Sequence, residues 1–287
     1  MTTILWILVF YLGFVSFLSF VTAALFFYEI INSHSAAYFS EHLSSTPVRA
    51  MLRLWWSGIL SQIITAIAFP FGYIRALWMP GRDQPDSENR PPVLLIHGLY
   101  HNPSGWFAYK RWLRAAGFQN IFAVGYGCFH TSFDSIASRL EQEVIGLSKR
   151  FQGRKVLIMG HSLGGMLTRH LVSSPATRGL VAGAVTLGAP HKGSKLAALG
   201  LGALCHDLLP NAGIAKNLKE RDLPPEIPCL SLYSQVDDYV LPQDNLRLPA
   251  SSRQGWEERP SSPVSHVSML YHKKTALEAI EFLETLL

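Results

Sequence analysis

The chain has 287 residues and a formal net charge of +5, with 48% hydrophobic and only 16% charged residues. That length admits one large domain, or one domain with an appendage, and so little charge is unlike a freely soluble globule. No run of Lys and Arg stands out and basic residues alternate with acidic ones over 216–221 and 247–259, which argues against nucleic acid as a partner and leaves at most weak attraction to an anionic membrane surface.

The apolar excess lies before Trp78. Residues 3–28 carry no charged side chain. About 20 apolar residues cross the hydrocarbon core as a helix, so 1–30 reads as a retained transmembrane anchor. A cleaved signal peptide would want a basic front, a shorter apolar run and a small-residue cleavage site, and none is evident. A second uncharged stretch covers 54–74, with Trp55, Trp56 and Trp78 near its ends, as in an aromatic belt. Gln62 and Pro70 count against a full span, so 31–78 reads as a second membrane-spanning or interfacial segment. Basic residues flank it on both sides, leaving the topology near a tie with a lean towards a periplasmic domain. The polar, Pro-rich residues 79–92 read as a linker.

From residue 91 to 287 short apolar runs alternate with longer amphipathic stretches. Strands are expected at Val93–Ile96, 155–159, 180–187, Ile121–Val124 and Cys229–Tyr233, each continuously apolar. Helices are expected at 106–116, 135–150, 163–172 and 273–287. This rhythm predicts an α/β fold, a mostly parallel sheet with helices on both faces. Right-handed crossovers then gather the carboxyl ends of the strands along one rim, where such sheets hold their ligands.

The strand at 155–159 runs into Gly160-His161-Ser162-Leu163-Gly164-Gly165 and then a helix. A G-x-S-x-G pattern between strand and helix presents its serine on a strained turn, so Ser162 is the expected nucleophile. His161 lies on the opposite side of the turn and is expected to pack. The strand ending in His97-Gly98-Leu99 offers the Leu99 N–H, and the residue after the serine offers the Leu163 N–H, as oxyanion donors. His97 itself is expected to brace this loop. A serine nucleophile needs a histidine base oriented by a carboxylate, both later in the chain in this architecture. After the strand Cys229–Tyr233, Asp237 and Asp238 compete as the acid. Asp237 is favoured because it can turn inward while Asp238 faces solvent. Asp207 is a weaker candidate with no strand before it. For the base, His266 in a loop is favoured over His272 at a helix start. Residues 195–209 are apolar and read equally as a core helix or as a pocket wall or lid.

These segments, with Thr186-Leu187-Gly188-Ala189-Pro190-His191-Lys192-Gly193-Ser194 and residues 233–240 and 266–270, resemble the bacterial lipase branch of the α/β-hydrolase superfamily. The likeness covers about 200 residues. It implies an α/β-hydrolase fold, Ser162, Asp237 and His266 in the triad, an acyl-enzyme route for lipid esters, no cofactor and no metal. With the apolar N-terminus it implies a place at a bacterial cytoplasmic membrane. Two departures stand out: Ser265 occupies the position where the family has Gly, and residues 249–263 are polar, without the strand expected before the base. A thioesterase or acyltransferase would use the same residues, and a membrane-tethered binding protein with an inactive hydrolase fold is a further alternative. One or two helices cannot line a transport path. Cys128, Cys205 and Cys229 match no metal spacing, the first and last being expected as buried thiols. Oligomeric state is left open.

Overall fold

The computed structural model describes residues 2–32, 47–81 and 90–287. A six-stranded, fully parallel sheet has the order β2-β1-β3-β4-β5-β6, formed by β1 (Val93–Ile96), β2 (Ile121–Val124), β3 (Val156–His161), β4 (Val181–Leu187), β5 (Cys229–Tyr233) and β6 (Trp256–Pro260). The four residues of β1 are all buried because both faces of the sheet are covered. Val93 and Leu95 join the core beneath α4 (Phe107–Ala115) and α9 (Lys273–Glu284), together with Leu113 and Ile280. Leu94 and Ile96 face the opposite core, with Leu140 of α5 (Phe133–Arg150) and Met166 of α6 (Leu163–Ser173). Each such aliphatic side chain contributes about 1.5–3 kcal/mol on burial.

β6 corrects the reading of 249–263 as strandless: Trp256 to Pro260 pair in parallel with Cys229 to Tyr233. The strand escapes an apolar pattern because it is the sheet edge. Its Glu258 accepts from Arg247 at 3.2 Å and Arg253 at 2.9 Å, and charged side chains suit an edge.

Residues 195–209 form neither one core helix nor one continuous element. A 3-10 turn, Lys195–Leu199, is followed by the short α7 (Ala203–Asp207), and Leu199 and Leu201 project outward. Helix α8 (Gly213–Arg221) follows.

The N-terminal third forms two long helices, α1 (Thr2–Ile31) and α2 (Pro47–Ala68), continued by a 3-10 turn, Phe69–Tyr73, and the one-turn α3 (Arg75–Trp78). Two stretches, Val9–Ile31 and Val48–Tyr73, are long and apolar enough to cross a membrane. The helices run antiparallel. Tyr11 donates to the Gln62 carbonyl at 3.2 Å, and Trp55 Nε1 to that of Ser16 at 2.9 Å. Phe10, Phe14 and Phe17 of α1, with Trp56, Leu60 and Ile67 of α2, face outward. The expected linker falls largely on 82–89, and the start of the expected second segment on 33–46. Both lie outside the described residues.

Candidate active site

The parallel sheet brings the carboxyl ends of β1, β3, β4, β5 and β6 to one rim, and every expected site residue sits there. Ser162 follows β3 with φ 55° and ψ −121°, a left-handed backbone that a non-glycine residue adopts only at a cost of about 1–3 kcal/mol. Its N–H is held by the Leu187 carbonyl at 2.9 Å. The turn is tight enough to demand glycine on its flank. A Cβ at position 164 would lie 2.1 Å from the Ile96 carbonyl oxygen.

The loop after β1 packs against this turn, since a Cβ at position 98 would approach the Ser162 Cβ to 2.9 Å. Among the described residues neither the Leu99 nor the Leu163 N–H donates a hydrogen bond, so both remain available. His97 braces the loop as its neighbours suggested. Its Nδ1 meets the Gly98 carbonyl at 2.9 Å, its Nε2 accepts from the Tyr126 N–H at 3.3 Å, and the Tyr126 ring stacks on it.

Asp237 and His266 come together. His266 Nδ1 lies 2.6 Å from Asp237 Oδ2, with both residues buried. The other oxygen of Asp237 accepts from the N–H groups of Tyr239 at 3.0 Å and Val240 at 2.9 Å. A proton on His266 Nδ1 would be shared with Asp237 and would leave the Nε2 lone pair outside that bond. Burial alone lowers the His266 pKa, but the charge and hydrogen bond of Asp237, with a further contribution from Asp238, outweigh it and raise the value above that of a free histidine. Gly188, at φ 56°, follows β4 beside this pair, where a Cβ would come within 3.1 Å of Asp237 Oδ2.

Asp238 does not face solvent as expected. It is 1% exposed. Its Oδ1 accepts the His266 N–H at 2.9 Å and its Oδ2 accepts the Thr22 hydroxyl at 2.8 Å. Burial, reinforced by the adjacent Asp237, pushes its pKa up to about 6 against the pull of those hydrogen bonds. The sequence reading missed this because the partner, Thr22, lies in α1. The available signal was a polar side chain in an apolar helix, which tends to face protein rather than lipid.

Other contacts from α2 reach the same loops. Ser57 Oγ lies 3.0 Å from Ser265 Oγ and 2.7 Å from Ser268 Oγ. Gln62 donates to the Tyr239 hydroxyl at 3.0 Å, and the Tyr239 ring stacks on His266 with centroids 5.3 Å apart. Ser265, standing where a glycine was expected, thus has a partner in the helical hairpin. His161 is buried as expected but packs on His266, with ring centroids 4.7 Å apart, and its Nε2 lies 3.1 Å from the His266 carbonyl. Burial, followed by the nearby His266 and His101, drives its pKa well below the ordinary histidine value.

The rival residues sit elsewhere. His272 caps α9 through Thr275, and Asp207 ends α7 against Gly213. The three cysteines are free and buried. Among the described residues no group of three or more His, Cys, Asp or Glu could hold a metal ion. A cavity of about 490 Å³ opens beside residues 100–103, directly after Leu99, with Tyr126, Cys128 and Phe129 on its wall. The Leu201 N–H donates to the hydroxyl of Tyr100, one of the wall residues, at 2.7 Å.

A search of curated proteins found no match to the chain. Among solved structures it is similar to the mature form of the Bacillus licheniformis lipase BlEst2. That match has a TM-score of 0.58 at 18% identity, over 71% of this chain and 95% of that one. Aspergillus fumigatus lipase B gives a TM-score of 0.61 at 16% identity, over 71% and 55% of the two chains. The Paleococcus ferrophilus monoacylglycerol lipase gives 0.53 at 19% identity, over 69% and 96%. At such identities the likeness concerns the fold. The model of the alpha/beta hydrolase family matches residues 93–281, from the first residue of β1 into the last helix, and the chain belongs to that family.

Proposed function

We propose that this protein is a serine hydrolase of lipid carboxylic esters, held at a membrane by residues 1–78 and joined through 79–92 to a catalytic domain over 91–287. Ser162 is the nucleophile, His266 the base, Asp237 the acid that orients it, and Leu99 and Leu163 the oxyanion donors. The observation that carries this reading is the buried 2.6 Å pair of His266 and Asp237 at the rim that also holds the strained Ser162 turn.

In the reaction His266 Nε2 takes the Ser162 hydroxyl proton as Oγ attacks the ester carbonyl. The C–O bond to the leaving alcohol breaks as the same proton passes to it, leaving an acyl-enzyme. Water, deprotonated by His266, then releases the carboxylic acid and returns the proton to Ser162. The Leu99 and Leu163 N–H groups stabilise both tetrahedral anions, and loss of one such donor typically costs about 10²–10³ in rate.

The cavity beside residues 100–103 has a mixed lining, with Phe69, Tyr126 and Phe129 beside Arg75 and Arg139, and the outward aromatic faces of α1 and α2 suit a lipid surface. The apolar helices favour lipid esters over soluble ones. The lipases to which the fold is similar point the same way.

The test compares the full-length protein with Ser162→Ala on p-nitrophenyl esters of several chain lengths, on phospholipids and on acyl thioesters. Loss of about 10³-fold or more in the variant is expected. Equal rates would overturn the reading, and a thioester preference would reassign the substrate class.

A further inference from the structure

A second, largely apolar recess is lined by none of the proposed site residues. It has a volume of about 750 Å³ and is walled by Ile64 and Ile67 of α2, by Leu77 and Trp78, and by Phe107 of α4. Its remaining edge is basic. Lys110, Arg111 and Arg114, all on α4, line it together.

These three cations have no acidic partner among the described residues. Lys110 donates to the Leu77 carbonyl, and its Nζ lies 5.3 Å from the centroid of the Trp78 ring. Burial and the neighbouring Arg114 lower its pKa to about 8. Lys110 is buried whereas Arg111 and Arg114 are exposed, so the edge offers one desolvated and two solvated cations to an anion placed there. The guanidinium groups offer planar, multiple donors that suit a phosphate. The opposite wall belongs to a helix long and apolar enough to cross a membrane.

We propose that this recess binds one anionic phospholipid of the surrounding bilayer, its phosphate on Lys110, Arg111 and Arg114 and an acyl chain along Ile64, Ile67 and Phe107. Charge complementarity selects this occupant: a neutral apolar ligand leaves the cations unmatched, and a soluble phosphate leaves the apolar wall exposed to water. The site is separate from the hydrolytic residues, but it rests on the placement at a membrane proposed above.

The test uses full-length Ser162→Ala protein, so that no lipid is turned over, in nanodiscs containing a photoactivatable phosphatidylglycerol or the matching phosphatidylcholine. Labelling mapped to α2 and α4 should favour phosphatidylglycerol by about tenfold. Arg111→Glu with Arg114→Glu should abolish that preference, and Ala76→Trp, which fills the recess and spares the cations, should cut labelling at these sites. Equal labelling by the two lipids, indifference to the charge reversal, or displacement by inorganic phosphate alone would overturn the assignment. A melting temperature within a few degrees of the parent identifies folded variants. For a variant that fails this, Arg111→Gln with Arg114→Gln gives the same readout.

Discussion

Thr22 of α1 donates a 2.8 Å hydrogen bond to Asp238, which accepts the main-chain N–H of His266 at 2.9 Å. A helix of the N-terminal hairpin is thus bonded, through one buried carboxylate, to the backbone of the proposed base. Removing the hydroxyl without changing shape tests the link. Thr22→Val should lower kcat about 3- to 10-fold with KM little changed, as expected for loss of a hydrogen bond worth about 0.5–1.5 kcal/mol. Thr22→Ser should retain wild-type kcat. Equal kcat in all three proteins would show that the contact does not position His266.

The pH profile follows from the raised pKa of His266. The imidazole accepts a proton only when neutral, so kcat/KM should fall as pH drops through that value, with the acid limb centred above the ordinary 6.5 of a histidine. Asp237→Asn removes the main group that raises it and leaves burial, which lowers it. The limb should move to lower pH while the rate drops by about 10⁴, since the tautomer is no longer held. An unmoved limb would assign the titration to another group.

The Ser162 turn should tolerate no side chain at position 164. Because an added Cβ would lie 2.1 Å from a main-chain oxygen of Ile96, β1 and α6 must separate. Gly164→Ala should cost roughly 1–3 kcal/mol or more in chemical denaturation. Unchanged stability would mean that the turn relaxes freely.

Arg169 is 1% exposed and braces the segment after β4. Its Nε donates to Asp222 at 2.6 Å, and its terminal nitrogens reach the His191 carbonyl and Ser252, each at 2.9 Å. Arg169→Ala strands the buried Asp222 charge, and a loss of about 3–5 kcal/mol is expected, read as a fall in denaturation midpoint. Replacing both partners by apolar residues should recover much of that loss.

The sheet was legible because burial on both faces writes itself as continuous apolar runs. Val93–Ile96, Ile121–Val124 and Cys229–Tyr233 need no adjustment, and β3 and β4 shift by two residues at most at either end. β6 was not legible, since an edge strand with one covered side keeps Glu and Arg. The Ser162 turn could be read from local spacing alone. Asp237 and His266 could be reached because chain order narrows the candidates, and their pairing is a property of the fold. The environment of Asp238 could not be read, because its donors come from β6 onward and from α1.

That last contact joins positions 216 residues apart in the chain. During synthesis Thr22 emerges early, whereas Asp238 and His266 emerge near the end. A nascent chain stalled after β4 already carries the hairpin and Ser162 but lacks Asp238, Tyr239, Ser265 and Ser268, which the hairpin engages. If His266 is the base, as proposed, the site would be complete only once the segment carrying Asp238 and His266 has closed onto α1.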